Sequence, residues 1–348
     1  MRLPHQQITH LLNALYTEDV TSVTVKHPCD DIGELLHIDI SDPGNTIVRF
    51  SQGALTYQDT RDAILTQYGE RVYDDLPDAS AYVRALVAAD LVDIDNHDRV
   101  NTFFRQHAYP DLDAGHEPIA LGIDTNLMAW RMADVLELDP EVYSDDAGRS
   151  PVNGFALATG IYDELNWHYN HYETRSLEGA FGPEFARLDN QPAGGNREGF
   201  LGLHEYRRLR DHRYADTIDC EKGDEAIVDA YATYDEESRK RVILLSNDHG
   251  FIERARDEGV LAQHIQFPVD IPQSVTVTWD ELHDLLYILA VLFGVIRLPK
   301  VTLYGVWNGK TGEDWQQRRM DIECRSDKVR SKLRRDHAIM TAYGTGAI

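Results

Sequence analysis

Apolar residues recur at helical spacing through positions 8–15, alternate with polar ones at 35–40 and 46–50, and return to helical spacing at 57–68 and 79–89. A period near 3.6 marks a helix with one buried face and a period of two marks a half-buried strand. The first hundred residues therefore predict an α+β module, in which no chemistry stands out. The linker HAYPDLDAGHEP, residues 107–118, is polar and carries Pro and Gly, which sets a boundary near residue 117.

Beyond that boundary short apolar runs alternate with helical patterns. IALGID reads as a first strand, and LNWHYNHY lies on the helix following FALATGIYDE. RVILLSND is apolar enough to be a central strand ending in a polar turn, and ARDEGVLAQHIQFP closes with a short edge strand. Such alternation predicts a parallel sheet covered by helices on both faces. A Gly- and Arg-containing insertion at about 174–220 reads as a loop or cap with some helix near 203–210. After residue 268, VTVT and KVTLYGVW read as strands around the apolar helix WDELHDLLYILAVLFGV, which a Thr or Asp opens. The expected class is α/β: a central parallel sheet at 117–268, an N-terminal α+β module at 1–116, and a C-terminal α+β extension at 269–348 with a basic tail.

Composition adds setting rather than fold. At 348 residues the chain exceeds what one core usually supports, and 42% hydrophobic content argues for a folded protein. The formal charge is −25, and only seven of the 34 basic residues are lysine. An acidic, lysine-poor surface suits a cytoplasm of very high salt, where charge is screened within a few Å, so a halophilic, archaeon-like source is expected. Net acidity argues against nucleic acid in general, yet a local Arg cluster or a bound divalent cation can still draw a phosphate. Cys29, Cys220 and Cys324 form neither a disulfide framework nor a zinc pattern. The amino terminus has no signal-peptide segment, and the apolar run at 285–296 is too short to span a bilayer. A cytoplasmic location without membrane contact is expected.

Four acids fall where strands end or where helices border that edge: Asp124, Glu164, Asp224 and Asp248. Open α/β sheets place their functional crevice at the carboxyl ends of the strands, so acids from separate βα units can converge there. Taken alone, Asp124 reads as a helix cap. Asp229, and less readily Glu225, could replace Asp224, and Asp163 could replace Glu164. Asn126, Ser246 and Asn247 supply polar support. Clustered carboxylates repel by about 4 kcal/mol per close pair at an effective dielectric near 20, a penalty that a divalent cation removes. Oxygen ligands with no Cys and no close histidine pair favour Mg²⁺ or Mn²⁺ over Zn²⁺.

The strings GIDTN, YDELNWH, KGDEAIVDAY and ILLSNDHGFIERARDEGV resemble, in order and strand context, the successive motifs of the PIN-domain ribonucleases, in the style of exosome-associated and ribosome-maturation members. The resemblance covers about 119–268, and its most specific part is the last motif. It implies a metal-dependent endoribonuclease that hydrolyses RNA phosphodiester bonds with water activated by Mg²⁺ or Mn²⁺. Its four acidic positions fall on Asp124, Glu164, Asp224 and Asp248, and its products carry a 5′-phosphate and a 3′-hydroxyl. The interval between Asp124 and Glu164 and the insertion before Asp224 are longer than in compact toxin–antitoxin members.

RNA contacts are expected from Arg207, Arg208, Arg210 and Arg213, or from the basic tail of Arg318, Arg319, Arg325, Lys328, Arg330, Lys332, Arg334 and Arg335; a solvated helix face is the alternative for each. Trp167, Tyr169 and Tyr172 could stack bases or pack in the core. His168, His171 and His249 are ordinary surface histidines unless the site recruits them. A phosphoaspartyl phosphatase would need a second Asp two positions after the first, where this chain has Asn126. A PIN fold without its metal would instead be an RNA- or protein-binding scaffold. An inhibitory or scaffold protein partner and self-association stay open.

Overall fold

The computed structural model describes residues 1–42, 45–166 and 173–344. In chain order the strands are β1 (Arg2–Pro4), β2 (Ser22–Lys26), β3 (Glu34–Asp39), β4 (Thr46–Phe50), β5 (Ile119–Ile123), β6 (Gly154–Ala158), β7 (Asp216–Ile218), β8 (Arg241–Ser246), β9 (Leu261–His264), β10 (Ser274–Val277), β11 (Val295–Leu298), β12 (Val301–Tyr304) and β13 (Arg319–Cys324). They form two sheets in two compact units. One unit holds residues 93–169 and 198–268, the other residues 1–92, 170–197 and 269–348.

The first of these units carries a parallel sheet of order β7-β6-β5-β8-β9. All five residues of β5 are buried, as are the last five of β8. Side chains alternate between faces along a strand, so burial of every residue means that both faces are covered. This is why IALGI and VILLS read as unbroken apolar runs. Helix Asp224–Glu237 packs on β6 and β8, and helix His249–Asp257 packs on β8 and β9. From β5 the chain winds outward to β6 and β7, then returns to the other side of β5 for β8 and β9. The winding direction thus reverses between β5 and β8, which opens a crevice at their carboxyl ends.

Two glycines set the packing around that crevice. A Cβ on Gly122 of β5 would meet Leu244 Cδ2 at 2.4 Å and Tyr231 Cε1 at 2.9 Å. With glycine there, Tyr231 lies against the sheet, donating to the Ala156 carbonyl at 2.9 Å and accepting from the Ala158 amide at 3.2 Å. These bonds fix helix Asp224–Glu237 on the sheet. A Cβ on Gly160 would meet the Glu221 carbonyl at 2.4 Å. That close approach lets the Thr159 hydroxyl donate to the Cys220 carbonyl and accept the Cys220 amide, at 3.1 and 2.9 Å.

The other unit departs from the expected pair of separate extensions. Strands from both ends of the chain join one eight-stranded sheet, β1-β13-β12-β11-β2-β3-β4-β10, with antiparallel pairing throughout. Neither end could close this sheet alone, because β11 pairs with β2 and β4 with β10. Its helix Trp279–Leu292 opens as expected at Thr278, which forms a reciprocal capping box with Glu281. The insertion is also more ordered than a loop. It contains helices Arg175–Phe181 and Gly194–His212, a short 3₁₀ segment at Pro183–Leu188, and β7. Within this unit the Arg197 guanidinium donates to both oxygens of Asp75, at 2.9 and 3.1 Å, with both side chains fully buried.

FALATGIYDE divides into β6 and the start of helix Thr159–Leu165. That helix ends at Leu165, before most of LNWHYNHY, so Trp167, His168, Tyr169, His171 and Tyr172 lie outside the described residues. No helix among the described residues is long and apolar enough to cross a membrane.

Candidate functional site

Because Ile123 of β5 is in register with Leu245 of β8, the next residues, Asp124 and Ser246, leave the sheet side by side. Asp124 is 3% exposed, and its amide donates to the Leu245 carbonyl at 2.9 Å. It occupies the N-cap position of the single turn Thr125–Met128, yet its side chain caps nothing. Oδ2 instead receives the Ser246 hydroxyl at 2.6 Å and the Asn126 side-chain Nδ2 at 3.4 Å. The capping role falls to Asp248. Its Oδ1 accepts the Gly250 and Phe251 amides at 2.6 and 3.3 Å, while its own amide donates to Ser246 Oγ at 2.9 Å. Ser246 thus ties the two strand-end acids together.

Glu164 joins the other pair. Its Oε2 accepts the Thr125 hydroxyl and its Oε1 accepts the Gly223 amide at 3.0 Å. It therefore bridges the residue after Asp124 and the residue before Asp224. Gly223 takes a φ of 105°, a left-handed conformation that suits glycine, and Asp224 begins the next helix in an exposed position. The charge of Asp224 bears on Asp124. Asp163 faces an adjoining cavity of about 600 Å³ with Asn166, Glu221 and Lys222.

The electrostatics follow from this arrangement. Burial pushes the Asp124 carboxyl up to about 6, the charges of Asp224 and Glu164 add to the rise, and the bonds from Ser246 and the Thr125 amide oppose it. Such a carboxyl is held where gain of a cation would favour its ionised form. The donors are all oxygens, which suits a hard cation. Among the described residues, the triad whose ligand atoms approach within 4.8 Å of one another is elsewhere, at His5, His283 and Asp284. There Arg318 lies 2.9 Å from Asp284 Oδ1 and 3.0 Å from His5 Nε2, so a guanidinium already neutralises the carboxylate. At the acidic edge, among the described residues, no three ligand atoms approach one another that closely.

Several expected contributors are placed differently. The Asn247 side chain bonds to none of the four acids; its backbone carbonyl faces His264 Nε2 at 3.1 Å, and its buried Oδ1 has no hydrogen-bond partner. His249 stacks on His264 with ring centroids 3.8 Å apart, a pairing that sequence spacing gave no sign of. The expected RNA-binding arginines are occupied within the protein. Arg208 pairs with Glu205, Asp134 and Asp139, Arg213 with Asp139 and Glu141, and Arg210 with Asp211. Arg207 lies over the Tyr162 ring and contacts its hydroxyl at 3.4 Å. In so acidic a chain, carboxylates satisfy this cluster before any phosphate arrives. In the tail, Arg318, Arg319, Lys328, Arg330 and Arg335 also have carboxylate partners, and Arg325 donates to the Leu298 and Val301 carbonyls. The Thr125–Glu164 and Gly160–Glu221 contacts had only one visible sign, the small residues of GIDTN and ATGIYDE.

The last strand, its polar turn and the helix behind it follow the motif order already noted. Residues 165–266 match the PIN-domain family model. The match spans under a third of the chain. It includes Asp224 and Asp248 and stops short of Asp124, which follows β5, and Glu164, which lies in helix Thr159–Leu165; hydrogen bonds join both to the matched segment. No curated protein and no solved structure matches the chain. The PIN match, the parallel sheet and the acidic edge together support a nuclease-like hydrolase at a coarse level.

Proposed function

We propose that this protein is a metal-dependent ribonuclease that hydrolyses RNA phosphodiester bonds at the acidic edge, using Mg²⁺ or Mn²⁺ held by Asp124, Glu164, Asp224 and Asp248. The observation that carries the reading is the joining of acids from four chain segments through two small side chains. Ser246 links Asp124 to Asp248, and Thr125 links the Asp124 turn to Glu164, which reaches the turn before Asp224. A purely structural network would be expected to neutralise these acids with the arginines the chain has in abundance. Here Asp124 and Glu164 are held by hydroxyl and amide donors and Asp248 by helix amides, and among the described residues none of the four acids has an ion-pair partner.

A bound divalent cation supplies charge neutralisation at the phosphate and a lower pKa for water. The chain's own part is to fix the carboxylates and exchange a proton. Asp124, held near 6, would have to be ionised to ligate the cation, so uptake below about pH 6 would be accompanied by release of a proton. Asp248 Oδ1 stays on the helix amides, leaving Oδ2 for a ligand. Glu164 is oriented by one fixed donor on each oxygen and would hold the cation directly or through water. The acidic, lysine-poor composition supports a high-salt cytoplasm as the setting, and the assay belongs in molar KCl.

The test is cleavage of labelled single-stranded RNA with Mg²⁺ or Mn²⁺. Activity should vanish in chelator and in Asp124→Asn and Asp248→Asn, and survive in Asp229→Asn. Full activity in either of the first two variants overturns the assignment. RNA binding by the wild type without any cleavage favours the scaffold reading.

A further inference from the structure

The amino ends of the parallel strands, at the edge opposite the acids, border a cavity of about 790 Å³. Its floor includes Ile119, Arg241 and Leu261, the first residues of β5, β8 and β9. A five-residue strand rises about 16 Å at 3.3 Å per residue, so this cavity is separate from the acidic edge. Its size lies within the roughly 300–1,000 Å³ typical of small-molecule sites.

Three arginines stand on its walls. Arg149 is committed to Asp145, with Nε and NH2 at 2.8 and 2.7 Å from the same carboxylate oxygen. Arg105 and Arg241 differ: among the described residues neither side chain has an ion pair or a hydrogen bond, and Glu117 is the other acid lining the space. The chain carries 59 acidic and 34 basic residues, and it pairs Arg208, Arg210 and Arg213 with carboxylates. Arg105 and Arg241 thus leave two guanidinium groups without a carboxylate partner on one cavity. Arginine's planar fork suits phosphate oxygens. Tyr109 adds an aromatic wall. Its backbone sits at a φ of 59°, uncommon for an aromatic residue, and is held there by its amide bond to the Pro151 carbonyl at 3.0 Å.

We propose that this cavity binds a nucleotide, with its phosphate on Arg105 and Arg241 and its base against Tyr109 and the apolar floor of Ile119 and Leu261. The nucleotide is either free or the 5′-terminal unit of an RNA strand; the recognition chemistry is the same. The site does not depend on whether the acidic edge cleaves RNA.

The test is calorimetric titration of the full chain in chelator, so that no cleavage occurs, with adenosine 5′-monophosphate and with a 5′-phosphorylated oligoadenylate. Both should bind. The double charge reversal Arg105→Glu with Arg241→Glu should weaken binding by about tenfold or more, whereas Asp124→Asn should leave it unchanged. Both arginines are exposed, so their replacement should preserve the thermal transition, and Tyr109→Ala provides a second, uncharged variant that should also bind more weakly. Equal affinity for the two ligands identifies a free-nucleotide site, and much tighter oligoadenylate binding identifies an RNA-end site. Failure of both ligands to bind the wild type, or affinity unmoved by the charge reversal, overturns the proposal.

Discussion

The Ser246 hydroxyl lies 2.6 Å from Asp124 Oδ2 and 2.9 Å from the Asp248 amide, so one small side chain sets the positions of both strand-end acids. Replacing it with alanine removes the donor that holds down the Asp124 pKa. In Ser246→Ala, Asp124 should titrate above its present value of about 6, as read from its side-chain carboxyl carbon by NMR. Loss of a bond to a buried carboxylate should also cost about 1–3 kcal/mol in urea unfolding. An Asp124 titration unmoved by the change would deny Ser246 this role.

The same carboxyl makes stability depend on pH and metal in opposite directions. Its folded pKa of about 6 lies above the ordinary aspartate value of 3.8, so the metal-free fold binds this proton more tightly than the unfolded chain does. The associated stability is fully present below pH 3.8, falls as pH rises, and is gone above about pH 6. The two-unit difference corresponds to an order of 3 kcal/mol. Asp124→Asn should flatten that part of the profile in chelator. Added Mg²⁺ should stabilise the wild type more at pH 7 than at pH 5, and thermal melts across this range would show it.

Asp248 combines a charge with a helix cap, and two substitutions separate them. Asparagine is also a good cap, so Asp248→Asn should keep its stability within a few tenths of a kcal/mol while losing metal affinity. Asp248→Ala should lose the affinity and about 1 kcal/mol of stability as well. Equal melting of the two variants would show that the bonds to Gly250 and Phe251 contribute little.

Gly160 tests the link between Glu164 and the Asp224 turn. A methyl group there would lie 2.4 Å from the Glu221 carbonyl, forcing the turn away from its helix. Gly160→Ala should cost about 1–3 kcal/mol and weaken Mg²⁺ binding, measured calorimetrically, although no ligand is altered. Full metal affinity in this variant would mean that Glu164 and the turn are positioned independently.

The parallel unit was legible because its strands are buried on both faces, which leaves runs such as IALGI and RVILLS without polar interruption. Asp124 and Asp248 were legible as strand-end residues, Asp224 as a helix-start residue and Glu164 as part of a bordering helix. Their assigned roles were less so. Asp124 reads as a cap from its position, yet its carboxylate takes the Ser246 hydroxyl and makes no capping bond, whereas Asp248 caps the separate helix that follows it. The arginines 207–213 read as a phosphate-binding run, but Arg208 and Arg213 find partners in Asp134, Asp139 and Glu141, which lie far off in sequence.

By itself the sequence determined the local elements, the order of the acidic motifs, and the hardness of the ligands they offer, since each depends on side-chain type and short-range period. Only the tertiary structure decided that the two ends of the chain share one antiparallel sheet, because strand pairing such as β11 with β2 leaves no trace in local periodicity. It also decided which charges face one another. That question turns on distances of a few Å between residues a hundred positions apart, and it separates the occupied arginines at 208–213 from the unpaired Arg105 and Arg241.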